Sequence, residues 1–182
     1  MWNKLKAALG FGDTPEVAAA KSRTVVDGQD PRKRFVFGML SLSYDADPAY
    51  LVSLATKAMR QWYGIGSGKE LQERIEFYLQ GTGSTPGYDA YRVAFMARAG
   101  HGAGLANDVD SWQWAWRAAR KIQQSYAGWT QFGMGYLEGH LAYRKSEGDA
   151  DEVLSEYRNN IMARIREQTS GLWAQTPFQT PL

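Results

Sequence analysis

A chain of 182 residues, 44% hydrophobic and 13% aromatic, carries enough apolar surface for one core and predicts a single domain. Its 21 Lys and Arg against 19 Asp and Glu leave a net charge of +2, far from the concentrated positive surface that phosphate backbones need, so nucleic acid is not an expected partner. The absence of cysteine excludes disulfides, thiolate metal sites and a thiol nucleophile; with no secretory signal and no apolar run of about eighteen residues, the expected location is the cytoplasm.

Residues 1–34 read as an amphipathic arm and a linker. Trp2, Leu5, Leu9 and Phe11 form an apolar stripe with Lys4 and Lys6 off it, a surface for a partner protein or for docking onto the protein's own body. Two lysines on about three turns give too little interfacial binding for stable membrane attachment, which disfavours membrane contact. From Gly12 to Arg34 the composition is polar and broken by Pro15, Gly28 and Pro31, with helical composition only over 16–21; the Arg32-Lys33-Arg34 triplet reads as a solvated helix start.

Residues 35–182 read as a helical domain. The apolar run 35–44 fits strand or buried helix by pattern, and its helical surroundings favour helix. Asp47-Pro48 is an N-cap followed by a helix with Leu51, Leu54, Ala55, Ala58, Met59 and Trp62 turned inward. Ser67 with Glu70 forms a capping box before Leu71, Ile75, Tyr78 and Leu79. After the break at 81–87 comes a helix lined by Tyr88, Tyr91, Phe95 and Ala99, stopped by Gly100, Gly102 and Gly104.

The densest apolar signal lies over 110–129, where four of the seven tryptophans fall within twenty residues at helical spacing. Trp112, Ala115, Trp116, Ala119 and Ile122 make one stripe, widened by Trp114 and Ala118, and predict a helix surrounded on most sides and capped by Asn107 or Asp108. The next helix places Gly135 and Gly139 one turn apart, which predicts a close neighbour there, most simply a tryptophan ring of the preceding helix. A last helix spans about 149–168, with acids in its first turn matching the helix dipole. Trp173 and Phe178 in the irregular tail are expected to tuck into a groove. The fold expected is all-α, a compact bundle of about six or seven helices with an N-terminal arm and an irregular tail.

The order of Trp62-Tyr-Gly-Ile65, Tyr88-Asp-Ala-Tyr-Arg92, Arg98, Trp112, Trp116, Gly128-Trp-Thr-Gln-Phe132 and Gly135-Tyr-Leu-Glu-Gly139 resembles the bacterial family catalogued as domain of unknown function 1266. The likeness spans roughly residues 51–144 and extends toward Trp173. The family typically has tryptophan where this chain has Tyr88 and Tyr63, so an aromatic ring is kept at both. No chemistry comes with the resemblance; relatives near secreted toxins imply an adaptor or toxin-neutralising role by association alone.

Asp89 and Arg92, three apart on a helix, are spaced for an ion pair that locks packing, or for an anion cleft in which Arg92 and Arg98 grip a carboxylate or phosphate beside Glu138. His101 and His140 lack the ligand count and spacing of a zinc site, so neither metal nor cofactor is expected; His101 reads as a helix terminator and His140 as packed beside Tyr136 and Tyr143. The loop at 100–105 has glycines but follows a helix and lacks the lysine of a phosphate loop. No serine has nucleophile surroundings. The expected function is a non-catalytic module binding another protein, such as a secreted toxin or effector. The alternative is an enzyme or sensor taking a small anionic ligand at Asp89, Arg92, Arg98 and Glu138.

Overall fold

A computed structural model describes residues 15–43, 55, 57–82 and 84–182. The described residues form seven α-helices and no strand: α1 (Pro15–Asp27), α2 (Pro31–Leu40), α3 (Gly68–Gln80), α4 (Pro86–Gly102), α5 (Asp108–Ser125), α6 (Trp129–Ser146) and α7 (Asp151–Ser170). A π-helical turn, Ala58–Trp62, precedes α3, and a 3-10 turn, Trp173–Gln175, follows α7. The all-α bundle expected from the periodicity is therefore the observed fold. Trp2, Leu5, Leu9, Phe11 and the Asp47-Pro48 cap lie outside the described residues.

Local chemistry sets the helix starts. Ser67 and Glu70 form the reciprocal capping box of α3, with the Glu70 carboxylate accepting from the backbone N–H groups of Gly66 and Ser67 at 2.8 and 2.9 Å. Thr85 caps α4 with Pro86 next, Asn107 caps α5, and Asp30 caps α2 through the Arg32 N–H at 2.8 Å. One expectation fails early in the chain. The stretch read as linker holds α1, with Val25 and Val26 exposed, so it never shows the apolar stripe by which a helix is usually recognised.

The most enclosed helix is α4, not the tryptophan helix. Between Gly87 and Gly100, twelve residues of α4 are buried, and α2, α3, α5 and α6 all pack on it. Small side chains make that possible: Ala90, Ala94, Ala97, Ala99 and Gly100 let neighbouring axes come close. Beside it α5 is amphipathic, burying Trp112, Ala115, Ala118, Ala119 and Ile122 while Gln113, Arg117 and Arg120 stay exposed. Trp62, expected inward, is half exposed.

Gly135 and Gly139 do face close neighbours, but no tryptophan ring. The Tyr126 phenol lies against Gly135, and Thr85 and the Tyr88 Cβ lie against Gly139. Gly87 N–H donates to the Tyr126 oxygen at 2.9 Å, and Thr85 Oγ1 donates to the Gly135 carbonyl at 2.5 Å, so polar bonds stitch the α4 start to the end of α5 and to α6. Tryptophans fill a different seam. Trp129 and Trp173 stack with centroids 5.4 Å apart and planes 9° from parallel. The Trp173 indole donates to the Gly38 carbonyl at 2.8 Å and that of Trp129 to the Thr176 carbonyl at 2.6 Å. Phe178 packs against Phe35 and Trp129, so the tail closes the core over α2 and α6 as expected.

A Cβ at position 139 would fall well inside contact distance of the Tyr88 Cβ, an atom fixed to the α4 backbone. Gly139→Ala should therefore cost about 1–3 kcal/mol in equilibrium urea unfolding despite alanine's higher helix propensity. A neutral or stabilising effect would show that α4 and α6 are not in close register here.

Candidate functional site

Three of the four candidate side chains sit on α4, at successive heights, and each meets different company. Asp89, in the first turn, is buried, and its carboxylate accepts from the Thr82 hydroxyl at 2.8 Å and the Thr82 N–H at 3.0 Å. It ties the loop before α4 to the helix start, where a negative charge also suits the dipole. The ion pair expected with Arg92 is not formed.

Arg92 instead enters a cage of phenols. Its guanidinium carbon lies 4.2 Å from the ring centroid of Tyr143, 4.8 Å from Tyr88, 5.1 Å from Tyr78 and 6.0 Å from Tyr63. Its Nη1 donates to the Tyr78 hydroxyl oxygen. Desolvation opposes the charge, but the surrounding phenolic oxygens outweigh it and hold the Arg92 pKa above its ordinary value. Burial pushes the Tyr63 phenol up to about 12, against the opposing pull of Arg92, and raises Tyr88 as well. Both therefore keep their protons near neutrality.

Near the other end of α4, Arg98 bonds the Asp108 carboxylate at 3.1 Å and the Ser111 hydroxyl at 2.8 Å, with its guanidinium 3.8 Å from the Trp112 ring centroid. Burial lowers its pKa, and Asp108 counters the shift only in part. Lys33 also lies over Trp112, and Arg32 over Trp116, so the basic triplet meets aromatic faces and not solvent alone. Glu138 is exposed on α6. The four residues thus do not converge on one anion cleft.

The histidines are equally separate. His101 closes α4, with Nδ1 3.1 Å from the Ala106 carbonyl and Nε2 3.4 Å from Asp108. His140 packs edge-on against Tyr88 and Tyr157 and tilted on Tyr136, and its Nε2 is buried without a hydrogen-bond partner. Desolvation, with Arg144 and Arg92 nearby, lowers its pKa to about 4. Among the described residues no group of three or more His, Cys, Asp or Glu could hold a metal ion. No described helix is long and apolar enough to cross a membrane.

Sequence reasoning misses the phenol cage, although it holds one signal of it: Tyr88 and Arg92 stand four apart on one helix face. Tyr63, Tyr78 and Tyr143 come from three other segments, and only tertiary packing assembles them.

The family described as "Protein of unknown function (DUF1266)" matches residues 81–178, more than half of the chain, and the chain belongs to that family. The match takes in Asp89, Arg92, Tyr143, α5 to α7 and most of the tail, and leaves Trp62-Tyr-Gly-Ile65 outside it. No curated protein and no solved structure is significantly similar to this chain.

The His140 environment has a measurable consequence. An unfolded histidine takes its proton near its ordinary pKa of 6.5, whereas the folded site resists until about 4. Stability is therefore full above pH 6.5 and falls as pH drops through that window, by at most about 1.4 kcal/mol per unit. Urea unfolding of the wild type and His140→Phe at pH 7 and 5 should show a smaller acid loss in the variant. Equal losses would mean that His140 is not desolvated in the fold.

Proposed function

We propose that this DUF1266 protein is a non-catalytic module that binds another protein, of the adaptor or toxin-neutralising kind, and works in the cytoplasm. The observation that carries the reading is that the candidate groups do not converge on one place. Asp89 holds Thr82, Arg98 holds Asp108, and Glu138 stands apart from both on the α6 surface. Acid–base or nucleophilic work needs such groups within reach of one reacting atom.

Exposed apolar side chains add support. Trp62 is 50% and Phe77 54% exposed, and large aromatic surfaces of this kind are typical anchors of protein interfaces. The arm residues Trp2, Leu5, Leu9 and Phe11 offer a further apolar stripe by sequence. The cysteine-free composition fits a reducing compartment. The alternative, an enzyme acting through Asp89, Arg92, Arg98 and Glu138 together, has their separation against it.

Affinity capture of the full chain with cross-linking is the test, comparing wild type with a variant carrying Trp2→Ala, Leu5→Ala and Leu9→Ala and with Trp62→Ala. One protein partner, held in fixed ratio by wild type and lost by about tenfold or more in either variant, is expected for a hot-spot contact. Capture of no partner, together with turnover of a small molecule by the purified chain, would contradict the reading.

A further inference from the structure

The bundle holds α1 mainly at its C-terminal end. Asp27 is buried and accepts from the Lys33 ammonium at 2.6 Å, and Ala20 and Thr24 are half-buried on the same side. No other described helix packs along α1. Its opposite side is bare: Ala18, Ala19 and Ser22 are exposed, and Val25 and Val26 keep 68% and 65% of their surface in water. These side chains make one stripe, because positions 18, 22 and 25, and likewise 19, 22 and 26, fall at helical spacing. A helix of 13 residues is marginal in water by itself, and burial of an apolar face is what usually holds it. Small and β-branched side chains leave room for a neighbouring helix to approach closely.

The segment that joins α1 at Pro15 carries a matching stripe. Trp2, Leu5 and Leu9 recur at spacings of three and then four, the spacings met in running back from Val25 through Ser22 to Ala18. Laid antiparallel, Trp2 meets Val25, Leu5 meets Ser22 and Leu9 meets Ala18 in a single register. Residues 10–14 between the two stripes include Gly10, Gly12, Asp13 and Thr14, a turn composition that ends at the proline favoured at a helix start. Helix–helix connections of this length join antiparallel neighbours. Lys4 and Lys6 fall to the flanks of the arm stripe, as Lys21 and Arg23 do on α1, so apolar contact and not ion pairing holds such a seam. Tethered this closely, the arm meets α1 at an effective concentration that a free partner rarely reaches.

We propose that the N-terminal arm docks antiparallel on the exposed face of α1, with Trp2 over Val25 and Val26 and Leu9 over Ala18 and Ala19, closing a helical hairpin about residues 10–14. The inference concerns the chain alone and does not rest on the protein-binding reading. A partner that takes the arm must first lift it from α1.

The chain has no cysteine, so paired substitutions report the register directly. In the full chain, Leu5→Cys with Ser22→Cys should close an intramolecular disulfide under mild oxidation, since facing positions bring Cα atoms within about 7 Å. Trp2→Cys with Ala18→Cys, about 10 Å apart along the seam, should oxidise about tenfold more slowly. Trypsin cleavage after Lys4 and Lys6 gives a second readout. Val25→Asp with Val26→Asp should speed it by about tenfold, while thermal unfolding of the bundle stays close to wild type because both side chains are exposed. Equal bridging by the two cysteine pairs, a disulfide between chains in place of one within the chain, or equal arm cleavage in wild type and the aspartate variant would overturn the proposal. Failure to capture a partner, with the bridge formed and the arm protected, would remove the protein-binding reading alone.

Discussion

The fold depends on how closely other helices approach α4. Its alanines and Gly100 leave no bulk between axes, and Gly87 lies so near the Tyr136 backbone N that a Cβ there would stand 2.9 Å from it. Interiors packed to crystal-like density reward such contact and penalise a single added methyl group. Polar bonds then fix the register, since Thr85 and Tyr126 bind backbone groups that glycine has uncovered. A helix enclosed on several sides must still place its long polar side chains somewhere, which explains why Asp89, Arg92 and Arg98 leave it toward different seams.

Each seam handles charge in its own way. Asp89 is held by a loop threonine, Arg98 by an aspartate and a tryptophan face, and Arg92 by tyrosines. The tail adds a second closure. Trp173 inserts between α2 and α6 through its stack on Trp129 and its bond to Gly38, so residues with no helical pattern complete the core. Removing a ring of that size from a packed interior costs about 3–5 kcal/mol, comparable with the whole stability of many domains.

Much of the fold is legible in the sequence because its signals are local. The Ser67 and Glu70 box, the Thr85-Pro86 start and the Asn107 cap depend on neighbours within four residues. Trp173 and Phe178 are legible because large rings in an irregular tail need cover. The centre is not. Periodicity marks a helix with one wet face, so α5 stands out, while α4, buried nearly all round, shows little contrast between its faces. A similar lack of contrast hides α1 within a polar stretch. The phenol cage is illegible for another reason: its rings come from four segments, and spacing along the chain carries no information on which will meet.

The DUF1266 match covers α4 to α7 and most of the tail, the same region in which these close approaches occur. Native-state hydrogen exchange measures the primacy of α4 most directly. Amides of Ala94 to Ala99 are expected to exchange only through global unfolding, with protection at least equal to that of the α5 amides from Ala115 to Ile122. Exchange of the α4 amides by local opening, while α5 stays protected, would contradict that primacy.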